Sequence, residues 1–136
     1  MTTTANYKLK KPDGNEYVAV DDLNYNADQI DGILKEHENR INCMNEPISI
    51  TLTAAGWAGS AAPYTQTVAV EGMTAECNPD LVSLLADGAS EATQKAYNKA
   101  FGMVAAGTGT TGAGTVTFKV YKKPAIDLVV GLKGVW

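Results

Sequence analysis

The sequence predicts an α+β chain. An N-terminal arm (residues 1–20) and a short coiled-coil helix (residues 21–46) precede a compact antiparallel β-rich domain (residues 47–136) with one or two helices. Three observations predict it. Apolar residues recur from Leu23 to Met44 in alternating steps of four and three, which is the spacing of a heptad seam. Pro47 then closes the helical pattern, because the residue before a proline disfavours the helical region. Beyond it the composition shifts to Gly, Ala, Thr and Val in short alternating runs, the signature of strands and turns.

In the arm, Tyr7 and Leu9 alternate with Lys8 and Lys10, Pro12-Asp13-Gly14-Asn15 supplies turn chemistry, and Tyr17-Val18-Ala19-Val20 returns as an extended run. A bare hairpin of this kind is marginal in water, so it is expected to dock on its own oligomer or on another protein. Asp21 is the expected N-cap of the helix, with Asp22 in the first turn where the dipole favours negative charge.

The seam consists of Leu23, Ala27, Ile30, Leu34, His37, Ile41 and Met44. With Ala27, Leu34 and Ile41 at a and Leu23, Ile30, His37 and Met44 at d, the branching leans toward three strands or more. Ile33 at g widens the stripe in the same direction. The coil spans only about three heptads, and Gly32 on its outer face costs ~1 kcal/mol relative to Ala. Flanking parts must help to hold the oligomer. His37 reads as a tolerated polar layer; with several imidazoles gathered on one axis, protonation near pH 5–6 would loosen the coil. A single amphipathic helix packed on its own domain is the competing reading of the stripe.

In the C-terminal domain, Ile48 to Thr53 alternates as a first strand and Ala54 to Pro63 forms a loop around Trp57. Tyr64 to Val70 is a second strand with Val68 and Val70 inward between the polar Gln66 and Glu71. Leu81 to Leu85 fits helix or strand. Ser90 caps a helix from Glu91 to Phe101 with Ala92, Ala96, Tyr97 and Ala100 on its buried face, an i,i+4 pair between Glu91 and Lys95, and Gly102 as its stop. Met103 to Ala106 and Thr115 to Tyr121 are expected strands flanking a flexible loop from Gly107 to Gly114, and Asp127 to Val135 is the last strand.

Function classes narrow by composition. The chain has 136 residues and 45% hydrophobic content, enough for one full core. No apolar run approaches the ~20 residues of a membrane span, and the first residues lack the pattern of a signal peptide; folding in a cytoplasm is expected. Residues 1–46 carry five Lys/Arg against nine Asp/Glu, and residues 47–136 carry six against six. Neither half offers the basic stripe of a nucleic-acid surface.

Cys43 and Cys77 belong to no CxxC pair, and the chain has one His, so no metal site within one chain is expected. The two thiols suit a reducing compartment. Gly107 to Gly112 spells GxGxxG, but a β-run follows it where a dinucleotide site needs a helix. No nucleophile has a recognisable base, and Asp80 and Asp87 read as turn and cap residues, so neither a catalytic site nor a cofactor is expected. Trp57, Tyr64, Tyr97, Tyr121 and Trp136 are the aromatic candidates for a sugar- or protein-binding surface, with Trp57, Tyr64 and Tyr121 foremost. The favoured reading is that Trp57 and Tyr64 pin the long loop to the core.

Asn6-Tyr7-Lys8-Leu9-Lys10-Lys11-Pro12, followed by Val20-Asp21-Asp22-Leu23-Asn24 and Ile30-Asp31, resembles the N-terminal segment of tail-fibre and baseplate-appendage proteins. Those proteins come from phages, prophages and phage-tail-like particles of Gram-positive bacteria. Ala55 through Val68 (Ala55-Gly56-Trp57-Ala58-Gly59-Ser60-Ala61-Ala62-Pro63-Tyr64-Thr65-Gln66-Thr67-Val68) resembles a small C-terminal domain recurring in the same group. The resemblance implies a trimeric component of the virion tail, assembled in the bacterial host cytoplasm. Its arm and coil would meet other tail or baseplate proteins and its C-terminal domain would point outward. It attaches no role to individual residues. The chain departs from a full fibre in having no long shaft, which leaves an adaptor or a small tail-tip appendage. A receptor or host cell-surface glycan binder, presented in several copies for avidity, is the alternative.

Overall fold

The computed structural model describes residues 1–135; Trp136 lies outside the described residues. The chain is α+β, with two helices and three antiparallel sheets among those residues, and it divides into two compact units, Met1–Ile41 and the remainder from Asn42.

In the first unit, β1 (Thr2–Thr3) pairs with β2 (Lys10–Lys11), and α1 (Val20–Asn45) follows. The arm therefore departs from the expected hairpin. The strands are not Tyr7–Leu9 and Tyr17–Val20. The chain reverses between Thr4 and Leu9, where Thr4 N–H donates to the Leu9 carbonyl at 2.9 Å, Thr4 Oγ1 accepts from Leu9 N–H at 3.0 Å, and Lys8 takes a φ of 57°. Tyr17 is fully exposed, and Val20, not a residue after Asp21, is the first of α1. Ala19 contributes the carbonyl that accepts from Asp22 and Leu23 N–H, so Asp21 lies inside the first turn and is not the cap. The helix stops at Asn45, two residues before Pro47, as the restriction on the pre-proline residue requires.

The second unit holds two three-stranded sheets. One is ordered β3 (Ile48–Leu52), β8 (Leu128–Lys133), β5 (Asp80–Ser83); the other β4 (Tyr64–Ala69), β7 (Thr115–Val120), β6 (Thr108–Gly112). The central strands β7 and β8 carry the most apolar alternation, with Val116, Phe118 and Val120 on one and Leu128, Val130 and Leu132 on the other, all buried. Helix α2 (Glu91–Ala105) packs against both of them. Its phenol at Tyr97 donates to the Val129 carbonyl at 2.7 Å and accepts from Leu84 N–H at 3.0 Å, tying the helix to β8 and to the chain just past β5. Gly131 in β8 is a packing requirement: a Cβ there would lie 2.7 Å from Val82 and 2.8 Å from Pro47.

Four expectations need correction here. Helix α2 runs through Gly102 to Ala105, and Met103–Ala106 is not a strand. Gly102 costs ~1 kcal/mol in a helix interior, but the added turn buries Val104, which returns more. The buried face of α2 is Tyr97, Ala100 and Val104, whereas Ala92 and Ala96 face solvent. Gly107–Gly114 is no flexible loop: Thr108–Gly112 is a paired edge strand, joined to β7 by Ala113-Gly114 with Gly114 at φ 69°. Gln66 is buried at 8% exposure on the face of β4 it shares with Val68. Leu81 and its neighbours resolve as strand β5, and Ser90 caps α2 by accepting from Thr93 N–H at 3.2 Å.

Candidate oligomer interface

Helix α1 is 26 residues long, about 39 Å, and no residue in it is buried. The seam residues are exposed, and Ile30, Leu34 and His37 among them also line a hollow shared with the arm. Leu23, Ile30, Leu34, Ile41 and Met44 are 44–61% exposed, and Ala27 and His37 are exposed with them.

The chain's own arm lies on one flank of the helix at Asp22, Tyr25 and Asn26 and reaches the seam at Ile30, Leu34 and His37. The Asn26 carboxamide grips the Lys10 backbone, accepting from its N–H at 2.6 Å and donating to its carbonyl at 2.8 Å. Lys10 Nζ pairs with Asp22 at 2.7 Å and lies 4.8 Å from the centre of the Tyr25 ring. Asp22, Tyr25 and Asn26 stand three and four residues apart, so one face of α1 presents all three to one lysine. Further along, Tyr7 and Leu9 with Ile30, Ile33, Leu34 and His37 line an apolar hollow of about 270 Å³. The arm thus runs antiparallel to the helix, from His37 back toward Asp22. Ile33, placed at the edge of the stripe, is half-buried there.

Electrostatics lock the hook. The Lys10 ammonium beside Asp22 holds that carboxyl below the usual aspartate range, and Asp22 in turn raises Lys10. Sequence reasoning placed Asp22 in the dipole-favoured first turn but assigned no role to Lys10, Tyr25 or Asn26 as a docking set. The signal was present in the i,i+4 spacing of Asp22 and Asn26 on the face that continues into Ile30 and Ile33. The identity of the docked segment was not.

The three foremost aromatic candidates do not form one exposed surface. Trp57 is 6% exposed and part of the core, as the loop-pinning reading expects, so its ring offers nothing outward. Tyr64 is half-buried with the Lys123 ammonium 5.0 Å from its ring centre. Tyr121 alone is well exposed, at 70%. The Gly107–Gly112 motif lies between α2 and β7 as a strand, so its amides do not open a helix toward a phosphate. Among the described residues no group of three or more His, Cys, Asp or Glu could hold a metal ion, and no helix is long and apolar enough to cross a membrane.

No family model, no curated protein and no solved structure matches this chain.

Proposed function

We propose that this chain is a structural component of a phage tail, a tail-fibre or baseplate appendage, which assembles as a homotrimer through α1. One observation carries the assembly: a 26-residue amphipathic helix with none of its residues buried and its apolar seam facing solvent. Helical stability in water comes chiefly from packing an apolar face, and an open face of this length marks an interaction surface. The heptad spacing makes the face complementary to copies of itself, and the a/d pattern favours three strands. The tail assignment rests on the resemblance of the arm, the helix start and the Ala55–Val68 stretch. In this reading the arm is a brace laid along each helix.

Light scattering on the full chain tests the assembly. A mass of three 14.3-kDa chains at micromolar concentration supports it, and a monomer overturns it. Immunogold labelling of purified tail particles from an induced culture of the source bacterium tests the assignment. Label at the tail tip or baseplate supports it, and particles without label overturn it. A glycan-binding role has less support, because Trp57 is in the core.

A further inference from the structure

Ala96 and Ala92 face solvent on α2, and the side of the helix bearing Ala96 is the wall of a trough. Two adjoining hollows of about 380 and 360 Å³ share Lys99, Met103 and Lys122 in their linings and so form one depression. Its apolar surface comes from Ala96, Ala100, Met103 and Ala106 on the helix side and Ala125 and Ile126 opposite. Ile126 is 40% exposed, and Tyr121 stands open at one end. Residues 96, 99/100, 103 and 106 recur at helical spacing, so the trough follows α2 for roughly 15 Å. Its small side chains let another backbone approach closely.

The charges along it have one sign. Lys99, Lys122 and Lys123 line the depression, and no Asp or Glu does. On the same helix Lys95 is paired with Glu91 at 2.5 Å. Lys99, Lys122 and Lys123 have no ion-pair partner among the described residues; Lys123 meets only the face of Tyr64. An occupant must therefore bury apolar surface on one side and present carboxylates at the rim. A bare polyanion would leave the apolar floor unused, and three lysines are few for a phosphate backbone. A cationic segment would be repelled.

We infer that this trough docks an acidic amphipathic helical segment of a partner protein, two to three turns long, in the helix-in-groove manner. The apolar floor supplies affinity, and the lysine rim selects the charge and speeds encounter. The surface is independent of the α1 seam, and it stands whether or not the chain is a trimer.

The test is fluorescence anisotropy on the full chain with a labelled synthetic peptide that carries Leu at helical spacing on one face and Glu on the other. Controls are a scramble of the same composition, the Lys-for-Glu peptide and a single-stranded oligonucleotide. The amphipathic acidic peptide should bind at least about tenfold more tightly than the scramble and weaken as salt rises. The double variant Lys99→Glu/Lys122→Glu should lose about tenfold or more in affinity while its circular dichroism and melting stay as in the parent. Met103→Ser gives a second reading, through the floor. Equal binding of peptide and scramble overturns the inference, as does unchanged binding in both variants. Tighter binding of the oligonucleotide would assign the trough to nucleic acid, and a changed oligomeric mass in the double variant would assign it to a second copy of the chain; either result overturns it.

Discussion

The side-chain amide of Gln66 accepts the backbone N–H of Thr53 and donates to the Thr53 carbonyl, both at 2.9 Å. Thr53 follows the last residue of β3, where the ladder with β8 has ended at Leu52–Leu128. A carboxamide from β4 thus substitutes for the strand neighbour that Thr53 lacks. Gly56 makes room for it, since a Cβ at that position would lie 2.8 Å from Gln66 Cδ. Gln66→Leu keeps the bulk and removes both bonds, leaving two backbone groups without their partner. Urea unfolding should show a loss of about 2–4 kcal/mol.

Asn26 and Lys10 repeat that arrangement in the first unit, where the carboxamide receives the arm in place of a strand. Asn26→Ala should release the arm and leave α1 helical. Hydrogen exchange would then report lost protection at the Lys10 amide, equivalent to about 1–3 kcal/mol of local opening, with the second unit unchanged. Retained protection at Lys10 would show that Leu9 and Tyr7 hold the arm without the amide.

The Lys10–Asp22 pair gives the arm a pH dependence whose sign follows from the two shifts. Asp22 is lowered, chiefly by the Lys10 hydrogen bond, so its contribution is present above the ordinary aspartate pKa and is lost as pH falls through the lower folded value. Lys10 is raised, chiefly by the same bond, so its contribution is complete below the ordinary lysine value and is lost as pH rises through the higher folded one. Arm docking should be flat from about pH 5 to 9 and weaken below about pH 4. Asp22→Asn should remove the acid limb. Exchange rates of arm amides against pH, corrected for intrinsic rates, would check it.

On the seam, Leu34→Glu places a charge at the centre of the exposed a/d stripe. Under the proposed assembly it should convert the trimer to monomer with little effect on the fold of the second unit; Leu34 also lines the hollow with Tyr7 and Leu9, so the arm should loosen as well. Lys35→Glu, one residue away on the outer surface, should leave the mass unchanged. Sedimentation of the two variants side by side separates loss of the seam from a general effect of added negative charge.

Elements governed by near neighbours in sequence were legible from it. The α1 helix and its end before Pro47, the alternation of Ile48–Leu52 and Thr115–Val120, and the Ser90 cap all follow from spacing, proline sterics or one local hydrogen bond. The apolar stripe of α1 is likewise a matter of local spacing, and its residues are exposed. Tertiary structure decided the rest. Thr108–Gly112 reads as a glycine-rich loop until β7 supplies its ladder, and Gly102 reads as a stop until burial of Val104 carries the helix past it. Gln66 reads as a surface residue until Thr53 lies within reach, thirteen positions away. Asn26 shows its role only when Lys10 arrives from sixteen positions earlier. In each case the deciding free energy comes from a partner distant in sequence, and local propensity had no access to it.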